Sequence, residues 1–557
     1  MTRSLRPRPL TSSVSSSDKL SSRKYPGVQS AALKGGQPIA ASARLKPRSR
    51  MNPGDGNEPL LDDLEARMRR PLDGEGDQAA PLTSKDEEDD HKSDVHASAA
   101  HLTNAIVGAG IMALPRAIAE LGILLGVACL IGCMGLAVFT IESIVVTAAR
   151  SNCLTSYGDL IKTRFGPRGA ASLQLSIILN NFGVMCIYLL IMSDTLVGSW
   201  ELPGVLPIIY KTSPGSVWWM TKPVILLVVI VGIIAPMCSL RSLKKLAPIS
   251  MVSVAICASF ALVALFLAGS AASQGNLSRT ARLYPDARLL GRDPLQITGS
   301  ILRILPIIMT AYCCHYTIHP VMAHLEGFSV PRMKRVVRTA VTICAGLYVT
   351  AGVSAYAIFG DTTRPDVLEN FTAGSLDHIV PYDVALFCST LIKVLYAGSL
   401  IGSFTLIMWA LRLNAFEMAG VPVAPGQGWR WHGSGAALLA GAYACAVFLP
   451  SIWTALELVG ATAVVLMSFL WPMLLLLRVE GPTLRMPTRV AAYAVILAGL
   501  LVAAIGTVGA VRDMRSGGGV AAHAPVHRGP PVDPDNAAAG GATAQHVVRG
   551  LWELVRR

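Results

Sequence analysis

Asn104-Ala-Ile-Val-Gly-Ala-Gly-Ile-Met-Ala-Leu-Pro115 decides the fold. It lies in an apolar run, yet Gly108 and Gly110 weaken a helix near its middle and Pro115 suits the start of a second half-helix. Backbone amides in hydrocarbon must be paired within their own segment, so an interrupted helix there lines a cavity. A second apolar run breaks alike at Thr310-Ala-Tyr-Cys-Cys-His-Tyr-Thr-Ile-His-Pro320, with two histidines, hydroxyls and a proline at similar depth. Alone, either stretch reads equally well as a kinked packing helix, because Gly and Pro are frequent in membrane helices. Together they occupy the first and sixth apolar spans, five apart, as the first helices of two inverted five-helix repeats would be. Paired breaks in corresponding positions point to the midplane site of a secondary transporter.

The surrounding chain fits that placement. Its 557 residues are 52% hydrophobic and only 15% charged, with mean hydropathy +0.49, whereas soluble domains run about a quarter charged. Residues 1–95 hold 16 Lys/Arg and 15 Asp/Glu, and residues 512–557 hold 6 and 4, which leaves 42 charges for the 416 residues between them. The expected organisation is a disordered polar tail over 1–95, a membrane domain over 96–511 and a mostly disordered tail over 512–557. Spans of about 20 residues cross the hydrocarbon. Eleven are read, at 97–120, 122–148, 171–199, 219–239, 246–269, 297–323, 335–359, 381–411, 434–450, 453–477 and 488–511. The C-terminal stretch 547–557 is either a short amphipathic helix on a membrane surface or a frayed end.

The formal net charge of +13 does not imply nucleic acid. No aromatic–basic patch or zinc-finger spacing accompanies it, and the basic residues fall mainly between apolar spans. With the N-terminus in the cytosol, 16 Lys/Arg fall in inner loops and 7 in outer loops, the bias that the positive-inside rule requires. Two glycosylation sequons, at Asn276 and Asn370, both fall in outer loops. The eleven cysteines show no disulfide or metal spacing and read as buried thiols. In the first tail, Glu58-Pro-Leu-Leu61 before Asp62 and Asp63 has the form of an acidic dileucine signal, whose partner would be sorting machinery.

A half-helix N-terminus carries unpaired N–H groups and about half a positive charge, which suits a carboxylate. The freed carbonyls of the opposite end suit an ammonium group or a coupling cation. An amino acid carries both charges and fits that pair of ends.

Val107-Gly-Ala-Gly-Ile-Met-Ala-Leu-Pro115 resembles the first-helix motif of the amino acid/auxin permease family, and Thr310–Pro320 with Leu325-Glu-Gly resembles its sixth helix. The likeness continues through Phe359-Gly-Asp-Thr362, Asn370-Phe and Ala410-Leu-Arg-Leu-Asn414. It is greatest toward plant vacuolar amino-acid transporters and sodium-coupled neutral amino acid transporters, and covers roughly residues 96–510. The resemblance implies an all-α polytopic fold of eleven transmembrane helices, a LeuT-like five-plus-five inverted repeat plus one helix. It implies a secondary active transporter moving amino acids by alternating access, coupled to Na+ or H+, in a vacuolar or plasma membrane.

By that resemblance Gly108, Ala109, Gly110 and Ile111 bind substrate, with the amides of Gly110 and Ile111 facing its carboxylate. Tyr312, Cys314 and His315 line the opposite side. Asn104 matches a sodium ligand of sodium-coupled members, with a helix–helix hydrogen bond as the alternative. Ser399 and Ser403 are the hydroxyls nearest to a second ligand, but Ile401 occupies the strictly aligned position. Lys393 stands inside the eighth span, where charge is costly, either paired structurally or in place of a cation. His315 and His319 either carry protons or bond neighbouring helices. Arg116 either snorkels or favours acidic substrates. No cofactor and no metal beyond Na+ at Asn104 is expected, and no nucleophile–base motif points to an enzyme. A membrane sensor that binds amino acids without net transport is the alternative function.

Overall fold

The computed structural model describes residues 94–108, 110–239, 247–286, 290–421, 428–449, 451–481 and 483–515. The chain divides into two units, Met1–Leu82 and Thr83–Arg557, and every described residue belongs to the second. The dileucine sequence, Ala109, the basic residues of 240–246 and the C-terminal stretch lie outside the described residues. Among the described residues the regular structure is helical, apart from one isolated bridge between Gly198 and Pro203.

The first expected span is two helices, α1 (Val95–Ile106) and α2 (Gly110–Leu121), bent by 65° at their junction. They are followed by α3 (Ile123–Arg150) and α4 (Tyr157–Leu196). Ser156 caps α4 by accepting from the Asp159 N–H, and Gly166 (φ 75°) with Pro167 puts a kink near its start. Next come α5 (Lys222–Cys238), α6 (Ala247–Ser273), α7 (Pro294–Ala311) and α8 (Ile318–His324). The chain continues through α9 (Val330–Phe359), α10 (Tyr382–Met418), α11 (Gly428–Phe448), α12 (Ile452–Glu480) and α13 (Met486–Arg515). Ser451 caps α12 by accepting from the Thr454 N–H, so α11 and α12 part at the Pro450–Ser451 boundary that the sequence indicates.

Among the described residues, eight helices are long and apolar enough to cross a membrane, or nine if α1 and α2 form one span. The expected count of eleven is not reached on length and composition. The expected fourth span forms only the shorter helix α5, and the ninth forms α11, which is not among the eight.

Packing gathers the helices into two groups. In one, α9 lies against α1, α2 and α3; in the other, α4 lies against α10, α11 and α5; α6 touches both α9 and α10. Charges within the bundle act as ties. Arg303 of α7 donates to Glu457 of α12 at 3.0 Å and to Asp513 of α13 at 2.6 Å. Arg116 donates to Glu120 at 3.1 Å and to the Thr363 carbonyl at 3.1 Å, which fastens α2 to the loop after α9. It turns away from the broken junction and so neither snorkels freely nor meets a substrate there.

Arg412 of α10 is 2% exposed and donates to the Cys238 carbonyl at 2.7 Å and the Trp431 carbonyl at 3.3 Å. Its guanidinium lies 4.4 Å from the centre of the Trp431 ring. One side chain thus closes the end of α5 and fixes α11. Arg412→Met should destabilise the folded protein by about 1–3 kcal/mol by orphaning the Cys238 carbonyl. Thermal unfolding in detergent measures this, and an unchanged midpoint would refute the tie.

The two sequons share one side of the domain: the Asn276 amide donates to the His378 carbonyl at 2.7 Å. Their availability differs. Asn276 is exposed, whereas Asn370 is 4% exposed, accepts from the Arg364 N–H at 2.7 Å and donates to the Thr362 carbonyl at 2.9 Å. Asn370 therefore pins its loop and is a poor glycan acceptor, a correction to its reading as a sequon. Expression in glycosylating cells should give an endoglycosidase-sensitive mobility shift that Asn276→Gln abolishes. A shift that survives Asn276→Gln would contradict this.

Candidate functional site

Each break leaves the last carbonyls of one half-helix and the first amides of the next without intrahelical partners. The α1 ladder stops at Ile106 and the α7 ladder at Ala311, after which a short 3-10 turn at His315–Thr317 leads into α8. Tyr348 of α9 meets both ends. Its hydroxyl donates to the Ala311 carbonyl at 2.8 Å and, in a shared bond, to the Ile106 carbonyl at 3.1 Å. The ring is fully buried and packs edge-on to Tyr312 at 5.2 Å.

Glycines let the two breaks touch. A Cβ on Gly110 would stand 2.8 Å from both Ala311 Cα and Cβ, so backbone approaches backbone there. A Cβ on Gly108 would stand 3.1 Å from the Tyr188 hydroxyl of α4. The Gly108 carbonyl also accepts from Tyr396 of α10 at 3.3 Å.

A cavity of about 60 Å³ lies at this crossing. Gly108 and Gly110 form one wall, Thr310, Cys313 and Tyr316 another, and Asn180 and Tyr188 of α4 a third. Small-molecule pockets run to about 300 Å³ or more, so the site is nearly closed.

The placement of the expected residues is mixed. Gly108 and Gly110 line the cavity. Ile111 is buried outside the lining, and its N–H reaches the Gly108 carbonyl at 3.4 Å. Tyr312, Cys314 and His315 are buried behind the wall, while Cys313 and Tyr316 between them face the cavity. His315 bonds Thr140 of α3 at 2.8 Å through Nε2, so it links helices. His319 stacks on Tyr157 of α4 at 5.7 Å, and neither of its ring nitrogens has a hydrogen-bond partner among the described residues.

The candidates for the coupling cation are spread along the bundle. Asn104 is half-buried on α1. The Ser399 hydroxyl turns onto its own helix, donating to the Tyr396 carbonyl at 2.8 Å, and Ser403 is half-buried one turn further on. Lys393 is 2% exposed and lies in the fields of Asp366 and Glu369, toward the end that carries the loop after α9. Among the described residues, no group of three or more His, Cys, Asp or Glu could hold a metal ion.

Sequence reasoning missed the α4 wall and the tyrosine brackets. Asn180-Asn181 was visible as two adjacent amides in an apolar span, where unpaired polar groups are costly. Asn180 donates to Asn181 at 3.3 Å, and both amides keep a buried atom without a hydrogen-bond partner among the described residues. Tyr348 and Tyr396 carried no such signal, because a tyrosine among apolar residues gives no hint of which backbone it will meet.

The family described as transmembrane amino acid transporter protein matches residues 91–512. The amino acid transporter AVT6E of Arabidopsis thaliana is 29% identical over 481 residues, covering 85% of this chain and 95% of the relative. AVT6A of the same plant is 30% identical over 382 residues, covering 68% and 80%. Among solved structures, a manganese transporter of Eremococcus coleocola matches with a TM-score of 0.52 at 12% identity, covering 83% of this chain and 92% of that one. That likeness is one of fold, and it supports the LeuT-like arrangement that the family resemblance implies. The chain is a multi-pass membrane protein of the transmembrane amino acid transporter family.

Proposed function

We propose that this chain carries amino acids across a vacuolar-type membrane by alternating access, with the N-terminus cytosolic and transport coupled to Na+ or H+. The observation that carries the reading is the meeting of two broken helices at one small cavity, bracketed by tyrosines from both packing groups. The α2 N-terminus at Gly110, with Gly108 and Ala109 before it in the chain, supplies amides and partial positive charge for a carboxylate. The Thr310, Tyr316 and Asn180 side chains supply polar partners for the rest of a small zwitterion. Admission of substrate requires the cavity to widen, which is achieved when α4 and α10 part from α1 and α7. The names of the plant relatives favour the vacuolar-type membrane, and the loop charge bias favours the cytosolic N-terminus. The proposed boundaries at 95/96 and 511/512 follow the fall in charge.

The test is amino-acid flux in proteoliposomes containing the purified full chain. Gly110→Leu should abolish uptake while membrane insertion persists, since a side chain there collides with Ala311. Tyr348→Phe should also lower uptake and cost about 1–3 kcal/mol in stability by orphaning two carbonyls. Wild-type flux retained by Gly110→Leu would remove the broken helices from the substrate path. Binding without flux in the wild-type protein would favour a sensor instead.

A further inference from the structure

A second, larger cavity of about 420 Å³ opens at the end of the bundle that carries the loop after α9. Its charged lining is Asp194 of α4, Lys222 of α5, and Arg364, Asp366 and Glu369 of that loop. Most of these groups are paired. Lys222 bonds Asp194, and Arg364 bonds Glu201 at 2.6 Å. Arg116 and Glu120, on the α2 helix that packs against residues 367–370, bond each other, and Arg116 also holds Thr363.

The Glu369 side chain makes no hydrogen bond or ion pair with a described residue, and Asp366 is the more deeply buried of the two exceptions. It is 1% exposed, and its Oδ1 accepts from the Leu368 N–H at 3.0 Å. Its Oδ2 is buried with no hydrogen-bond partner among the described residues. The nearest unspent positive charge is Lys393 of α10, which makes no hydrogen bond or ion pair with a described residue yet feels both Asp366 and Glu369. A bare carboxylate oxygen in that setting would cost several kcal/mol. An atom with no accessible surface cannot receive a substrate ammonium or a hydrated cation. It can receive a proton, which needs no space, or a neighbouring ammonium that swings in from behind.

We propose that Asp366 is a proton-binding site that controls the outer mouth of the transporter. The proton comes from water in the vestibule, past Glu369, and forms an O–H bond on Oδ2. With the proton bound, the carboxyl is neutral and only the field of Glu369 still draws Lys393 toward the loop. When the proton returns to the vestibule water, the carboxylate takes Lys393 as its counter-ion, and loop and α10 are clamped together. Protonation therefore exchanges a loop–α10 ion pair for a neutral contact and frees the mouth to open. Burial raises the Asp366 carboxyl well above the ordinary range, with Asp194 and Glu369 adding to it. Burial also pushes Glu369 up to about 7, with Asp194 adding and Lys222, Arg364 and Lys393 opposing. Burial and the neighbouring carboxylates thus hold Asp366 protonated at a higher pH than an exposed aspartate. The role in opening rests on the transport reading; the proton site itself does not.

Two measurements separate the two. In purified wild-type protein labelled with carbon-13 aspartate, infrared difference spectra from about pH 5 to about pH 8 should contain a protonated-aspartate band that disappears on alkalinisation. The band should be absent from Asp366→Asn. A wild-type protein without such a band, or a band that persists in the variant, overturns the proposal whether or not the protein transports. In proteoliposomes, wild-type amino-acid counterflow should rise as pH falls on the vestibule side only. Asp366→Asn should lose that dependence and stay at the acidic rate, and Asp366→Glu should restore it. A pH dependence in Asp366→Asn equal to wild type overturns the gating role. Absence of counterflow in the wild type at every pH defeats the transport reading and leaves the infrared test standing.

Discussion

One hydroxyl holds the two broken helices in register. A helix interrupted in hydrocarbon leaves carbonyls that neither water nor lipid can satisfy. Each such group costs about 1–3 kcal/mol when orphaned. Tyr348 answers two of them from one side chain, joining the ends of α1 and α7 to α9. Both breaks are thereby fixed to the same helix and hence to each other. The missing side chain at Gly110 has its reason here, since any Cβ would force α2 away from Ala311 and stretch the shared bond.

The second bracket is of another kind. Tyr396 reaches the Gly108 carbonyl from α10 at 3.3 Å, and Tyr188 of α4 crowds Gly108 from the same side. These contacts cross the seam between the group around α9 and the group around α4 and α10. Moving the groups apart would break the longer bond and widen the cavity. It would leave the Tyr348 bond intact, because Ile106, Ala311 and Tyr348 would travel together. The hydrogen bonds thus favour relative motion along the seam over disruption of either break.

The large features were legible in the sequence because they are set by composition and local chemistry. The low charge of 96–511 required a membrane bundle, and the glycines and proline of 104–115, paired with the second break, pointed to a broken first helix. The Thr310–Pro320 stretch likewise became a helix end, a tight turn and a second short helix. Register around the second break was less legible. An unwound segment has no fixed periodicity, so nothing in Tyr312-Cys-Cys-His315 said which side chains would face inward. Cys313 and Tyr316 line the cavity while their neighbours pack behind it. The sequon at Asn370 shows the same limit, because tripeptide spacing does not reveal that both ends of the amide are already bonded.

Charge in this bundle follows a rule to which the cavity beside the loop after α9 is the exception. Buried ions are expensive unless hydrogen-bonded partners surround them. Arg303 meets Glu457 and Asp513, Arg412 meets two carbonyls and an aromatic face, and Arg116 meets Glu120 and Thr363. Each is a tie between elements, although the Arg412 Nε keeps no hydrogen-bond partner among the described residues. Asp366 and Lys393 are buried as deeply but are not joined by a hydrogen bond or a close ion pair. Two opposite charges left apart in a poorly solvated place form a bistable element, because adding a proton or closing the pair lowers the energy in different geometries. Their position, one on the loop after α9 and the other on α10, spans the same two groups whose seam contains the cavity. A change of protonation there acts on the displacement that the tyrosine brackets leave free.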